Sequence, residues 1–200
     1  MAKNRNLIKN TSYNFKLRSS TSFFIGTYIL LGALLIHTII SGFTIDSSPF
    51  SFLTVNFLET FIFIITGICV FFSLLALFFS NRKYERKIGN KVWNKNSRKM
   101  VWLLFLLVII LYSIEFYLLR IGEEAFIIPT FILGYGILLL VLNFSKTKAL
   151  YLFSITCFLI GLVPLFIDGS GRYSLITLGI AHYVYGVTSR NKKAIKNTAS

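Results

Sequence analysis

Six apolar runs constrain the fold of this 200-residue chain more than any other feature of its sequence. They cover residues 23–40, 57–79, 100–119, 126–142, 149–167 and 173–187, and the sixth is the shortest and the most polar. A bilayer core about 30 Å thick needs roughly 20 apolar helical residues to cross it. Because lipid offers the backbone no hydrogen-bond partners, runs of this kind are expected to form helices. We therefore predict an all-α integral membrane protein whose six transmembrane helices form three helical hairpins in one bundle.

The positions of the basic residues predict how these helices are oriented. If the N-terminus is cytoplasmic and all six runs span, 19 of the 21 Lys and Arg residues lie on the cytoplasmic side, and only Arg120 and Arg172 fall outside. Such a bias is typical of the cytoplasmic segments of membrane proteins. The sequence thus predicts a basic N-terminal tail (1–22), a six-span bundle (23–188) with a basic cytoplasmic loop (80–99), and a basic C-terminal tail (189–200), with both termini inside.

Composition excludes several classes of protein. Hydrophobic residues make up 55% of the chain and charged residues only 14%, whereas a soluble domain carries about 25% charged residues. This excludes a disordered chain, and the two cysteines, Cys69 and Cys157, lie in apolar runs and do not suggest a disulfide-built secreted domain. The net charge of +14 is explained by membrane orientation, so we expect no nucleic-acid partner.

A cytoplasmic basic face is predicted around the 80–99 loop. We expect it to contact anionic lipid head groups, and the alternative is that the loop binds nucleic acid or recruits a protein partner. Tyr84 and Trp93, which lie among these cations, are typical of membrane-interface anchors. The residues assigned to this face are Arg82, Lys83, Arg86, Lys87, Lys91, Arg98 and Lys99.

The layout of the runs resembles that of small bacterial six-span proteins, including the acid-resistance membrane family, and no motif in the sequence identifies a family. The abundance of Lys, Asn, Ile and Phe is consistent with an AT-rich bacterial genome. We therefore expect a multi-pass protein of the bacterial cytoplasmic membrane.

Small and polar residues recur at helical spacing on several spans, as expected for faces that pack against other helices. On the second span Glu59, Thr66, Ser73 and Ser80 form a strict seven-residue repeat. The corresponding residues of three other spans are Gly26, Ala33, His37 and Ser41 on the first, Ser154, Cys157, Gly161, Pro164 and Asp168 on the fifth, and Gly179, His182, Tyr183 and Gly186 on the sixth.

Some of these residues are ionisable, and ionisable groups inside a membrane are functional candidates. The candidate intramembrane polar cluster consists of His37, Glu59, Tyr112, Glu115 and His182. Three interpretations are open. In the first, the role is structural: Glu115 and Glu59 are hydrogen-bonded or extend outward, and the histidines pair with tyrosines or backbone. In the second, Glu115, Glu59 and His37 line an outward-opening cavity that handles protons or cations. In the third, the two histidines and two glutamates form a metal or catalytic site. The residue types suit zinc, but no H-x-x-x-H or H-E-x-x-H spacing, phosphate loop or nucleophile motif is present.

The sequence therefore predicts no catalytic residue, no metal ligand and no cofactor. We expect a non-enzymatic membrane protein that acts through helix packing and through contacts with lipid, a second copy of itself or another membrane protein. The alternative is a small oligomeric conductor of protons, cations or solutes that uses Glu59, Glu115 and His37. An intramembrane metal-dependent enzyme is the third possibility.

Overall fold

The computed structural model describes residues 17–43, 54–87, 95–142 and 148–198. Within these ranges the chain forms six α-helices and one short 3-10 turn, and no strand occurs. The all-α prediction is therefore confirmed. The helices are α1 (Ser19–Phe43), α2 (Val55–Lys87), α3 (Lys95–Ile121), α4 (Ile127–Leu142), α5 (Lys148–Phe166) and α6 (Gly171–Thr198), and the turn Glu124–Phe126 precedes α4.

Four of the described helices, α1, α2, α3 and α5, are long and apolar enough to cross a membrane. Helix α4 is apolar but has only 16 residues, which at about 1.5 Å per residue makes it about 24 Å long. Helix α6 has 28 residues, but its C-terminal part carries Arg190, Lys192, Lys193 and Lys196, which lowers its overall hydropathy. The chain is thus a helical protein with several potential membrane spans, as the apolar runs indicated.

The helices extend beyond the apolar runs that predicted them. Helix α2 continues to Lys87 and α3 begins at Lys95, so both ends of the predicted 80–99 loop are helical. Helix α6 continues through most of the predicted C-terminal tail. A helix does not have to end where hydrocarbon ends, and basic residues such as Arg86 and Lys87 in the last turn of α2 stabilise the negative end of its dipole.

The packing order of the helices places the first and last helices side by side. Helix α1 packs most extensively on α6 and next on α2, while α4 packs on α5, and α5 on α6. Helix α3 contacts α4 and has little contact with α2, and α4 also contacts α6. Each predicted hairpin therefore consists of two contacting helices, and the bundle closes through α1 and α6.

Two glycines set the tight turns that bring neighbouring helices together. Gly122 follows α3 with a φ of 79°, and Gly169 follows α5 with a φ of 73°. At Gly122 the backbone N–H of Glu123 donates to the Leu118 carbonyl at 3.0 Å, the bond that ends many helices. Other side chains rarely adopt this left-handed conformation, so glycine suits both positions.

Candidate functional site

A histidine inside the bundle joins three helices. His182 of α6 is fully buried. Its Nδ1 lies 2.9 Å from the Ser22 hydroxyl of α1, which also donates to the His182 carbonyl oxygen at 2.8 Å. On the other side of the ring, Nε2 lies 2.7 Å from the Tyr135 hydroxyl of α4. The ring of Phe153 on α5 packs edge-on at a centroid distance of 4.7 Å.

This geometry assigns the tautomer of the histidine. The Ser22 hydroxyl has a single proton, which it donates to the His182 carbonyl. It must therefore accept a hydrogen bond from Nδ1–H, and Nε2 in turn accepts the Tyr135 proton. A neutral imidazole thus has both nitrogens satisfied, as a buried polar group requires. The arrangement is that of a structural link, because neither nitrogen is left to bind a metal.

A second buried polar group lies on α3 and, unlike His182, lacks hydrogen-bond partners in the described chain. Glu115 is fully buried, and neither of its carboxyl oxygens has a hydrogen-bond partner among the described residues. Tyr112, one turn earlier on the same helix, packs edge-on against Phe63 of α2 at 5.4 Å and lies over Gly67. The Tyr112 hydroxyl is likewise buried, and the polar side chain beside it is that of Thr66 on α2. A buried acid without a partner is energetically unfavourable, and such an acid in a membrane is a functional candidate.

The other two predicted cluster residues lie on α1 and α2. Glu59 is buried near the beginning of α2. His37 on α1 is half-buried, its ring lies 6.0 Å from that of Tyr173 on α6, and its Nδ1 has no partner in the described chain. Since the Glu115 oxygens make no hydrogen bond, the structure does not join Glu115 to His37, Glu59 or His182 by one.

The structure thus brings His182 together with two residues that the sequence did not single out. Ser22 fell in the predicted N-terminal tail, although it lies four residues before Gly26 and therefore on the same helical face. Tyr135 lies between Gly134 and Gly136 in an apolar run whose only other polar side chain is that of Thr130. Its hydroxyl was the available signal, because a tyrosine hydroxyl inside a bundle needs a partner.

The predicted basic face is described in part. Lys83, Arg86 and Lys87 are exposed at the end of α2, where Arg82 is half-buried. Arg98 and Lys99 are exposed at the beginning of α3. Lys91 lies outside the described residues.

The described polar groups do not form a metal site. Across the ranges that the structure describes, no three or more His, Cys, Asp and Glu side chains are grouped closely enough to hold a metal ion. The polar groups are instead a satisfied three-helix link at His182 and an unpaired acid at Glu115. Comparisons of the chain with protein families, with curated proteins and with solved structures gave no match.

Proposed function

We propose that the chain is a six-span integral protein of the bacterial cytoplasmic membrane with both termini in the cytoplasm. We propose further that it acts without catalysis, through contacts of its bundle with lipid and with a membrane partner, either a second copy or another protein. The observation that carries this proposal is the division of its side chains. Small residues pack between the helices, and large apolar residues face outward.

The inner faces are built for close approach of backbones. A Cβ on Gly26 would lie 3.0 Å from the Gly179 carbonyl oxygen, and a Cβ on Gly161 would lie 3.0 Å from Leu133. In lipid, helices associate where small residues allow such packing. Gly26 and Gly161 therefore allow neighbouring helices of the bundle to pack closely.

The outer faces have the opposite composition. Helix α3 exposes Trp102, Phe105, Phe116 and Tyr117, each by more than half of its surface. In water such a face would be strongly unfavourable, whereas hydrocarbon solvates it. This distribution supports a protein whose outer surface is in contact with lipid.

The contacts of α4 and α6 with other helices support their inclusion among the spans. Helix α4 is in contact with α3, α5 and α6, and α6 is in contact with α1, α4 and α5. The short helix α4 and the more polar helix α6 thus each have three neighbouring helices, which shelter them from lipid. A helix shielded by protein tolerates polar residues that a lipid-exposed helix does not.

Reporter fusions test this topology. We expect an alkaline phosphatase fused after residue 50 to be active outside, and a fluorescent reporter fused after residue 90 or 200 to be active inside. Fusions after residues 123 and 145 should report opposite sides, because α4 lies between them. Activity of the residue 50 and residue 90 fusions on the same side, or of the 123 and 145 fusions on the same side, contradicts the six-span arrangement.

A specific observation favours a second candidate function, an oligomeric conductor of protons or cations. Glu115 is fully buried without a hydrogen-bond partner in the described chain. Ionisable residues inside a membrane mark ion pathways and proton relays in many transport proteins. Tyr112, one turn earlier on α3, packs on α2, with which α3 has little contact, and this loose packing would allow such a pathway to open.

Flux measurements separate the two functions. In proteoliposomes with an imposed proton or potassium gradient, a conductor should dissipate the gradient, and Glu115→Gln should abolish this flux. Glu123→Gln is the matched control, because Glu123 is exposed in the turn after α3. An absence of flux in the unmodified protein, or equal flux in the Glu115→Gln variant, argues for the lipid- and partner-contacting function.

A further inference from the structure

A groove runs between the beginning of α1 and the end of α2. It has a volume of about 660 Å³, within the range of about 300–1,000 Å³ typical of sites for small ligands. One part of it is apolar and is lined by Phe24, Tyr28, Phe72 and Phe79. The rings of Tyr28 and Phe72 lie 5.6 Å apart across the two helices.

The other part of the groove is basic. Arg18, Lys83 and Lys87 line it, and none of the residues described as lining the groove is acidic. Lys83 and Lys87 are one helical turn apart on α2, so both amines project from the same face. The Arg18 guanidinium carbon lies 3.2 Å from the centre of the Tyr84 ring, a cation–π contact that holds this charge at the edge of the groove.

We propose that this groove binds one anionic phospholipid, with the phosphate at Arg18, Lys83 and Lys87 and an acyl chain along the aromatic part. This inference rests on the proposed membrane orientation only in requiring that this end of α1 and α2 lie at a membrane surface. It goes beyond general attraction of a basic face for anionic lipids, because it assigns a single site with a shape.

The order of polar and apolar residues along the groove favours a lipid over a soluble anion. Passing from Lys87 to Phe72 along α2, the lining changes from amines through the Ser80 hydroxyl to aromatic rings. The Ser80 hydroxyl accepts a hydrogen bond from Thr21 at 2.6 Å, which ties the two walls together at this level. A lipid has the same sequence of phosphate, ester and hydrocarbon, whereas inorganic phosphate would use only the first part.

Lipid binding to the purified full chain tests the proposal. By native mass spectrometry from a non-ionic detergent, we expect dioleoyl-phosphatidylglycerol to bind with one tight site and dioleoyl-phosphatidylcholine to bind more weakly. The double variant Lys83→Gln and Lys87→Gln should weaken phosphatidylglycerol binding about 10- to 30-fold, given the usual contribution of a lysine near an anionic surface. Both lysines are exposed, so the variant is expected to fold.

A matched control removes two charges elsewhere. Arg98 and Lys99 are exposed at the beginning of α3, on a surface whose described residues all belong to α3 and include Trp102, Leu103 and Leu106. The double variant Arg98→Gln and Lys99→Gln should change the affinity less than about threefold. A third variant, Ala76→Phe, fills the apolar part and leaves every cation in place, and we expect it also to weaken binding.

Four results would overturn the proposal. Equal losses in the two double variants would show that only overall charge matters. Unchanged binding in Ala76→Phe, or full displacement of the lipid by excess inorganic phosphate, would show an anion site without an acyl chain. Equal affinity for the two lipids would show that the head-group charge is not recognised. Failure of the proposed topology can be distinguished from failure of this lipid site. The reporter fusions test only the side of the membrane, and their activity does not depend on Lys83, Lys87 or Ala76.

Discussion

At the scale of single residues, His182 shows how a polar side chain is accommodated inside this bundle. Its two nitrogens are bonded to hydroxyls from α1 and α4, and its own helix supplies the carbonyl that fixes the Ser22 proton. Because every polar atom has a partner, removal of one hydroxyl would leave an imidazole nitrogen unsatisfied. Such a loss usually destabilises more than the intact bond stabilises.

We predict that Tyr135→Phe destabilises the protein by about 0.6–2 kcal/mol, the range found for hydrogen bonds between membrane helices and for buried unsatisfied groups. The measurement is the unfolding midpoint in mixed micelles, followed by far-ultraviolet circular dichroism. Tyr117→Phe is the matched control, since it removes the same atom from a ring that is 63% exposed on α3. If both variants unfold alike, the Tyr135 hydroxyl does not link the helices as described.

The sequence predicted part of this site but not its partners. A histidine at position 182 on the inner face of a span was expected, and His182 is fully buried. Pairing of the histidines with tyrosines was one expectation, but Tyr135 and Ser22 were not identified as the partners, because their approach depends on which helices are neighbours and on how each is rotated. Hydropathy carries neither kind of information. For the same reason the sequence placed Glu115 among the polar residues without showing that its carboxyl oxygens would lack partners.

At the scale of helices, the apolar runs agree with four helices that are long and apolar enough to cross a membrane, and they describe the other two helices less well. Hydropathy is a sum over a window, so it identifies α1, α2, α3 and α5 directly. Helix α4 is short and α6 continues into a basic segment, so window sums are weaker there. Both helices are surrounded by neighbouring helices, and a hydropathy sum over the sequence contains no information about such contacts.

The inner faces of the helices were more predictable than their ends. The seven-residue repeat on α2 was expected to face the bundle, and Glu59, Thr66 and Ser73 are all buried. Seven residues make almost two full helical turns, so a strict repeat keeps one face toward the neighbouring helices. The fourth member, Ser80, is half-buried and bonds to Thr21 of α1. The ends were less predictable, because the helices continue past the hydrophobic boundary that defined the runs.

At the scale of the whole molecule, the most extensive contact joins the two helices that are farthest apart along the chain. The three predicted hairpins follow from short connections, but the closure of α1 on α6 does not. This contact is made possible by paired glycines, since a Cβ on Gly179 would lie 2.5 Å from Leu30 and one on Gly26 would lie 2.9 Å from the His182 Cβ. The close packing of α1 on α6 also brings Ser22 to His182. Closure of the bundle and the hydrogen bonds of His182 therefore depend on each other.

We predict that two equivalent glycine substitutions have opposite effects on stability. Gly26→Ala should destabilise the protein by about 1–3 kcal/mol, because the added methyl meets the backbone of α6 and neither helix can move without loosening the other contacts. Gly67→Ala places the same methyl at an ordinary 3.7 Å from Tyr112, and the higher helix propensity of alanine should stabilise by up to about 1 kcal/mol. Unfolding midpoints in the same micelles measure both changes. A shift of the same sign and size in the two variants would mean that α1 and α6 do not close the bundle through this contact.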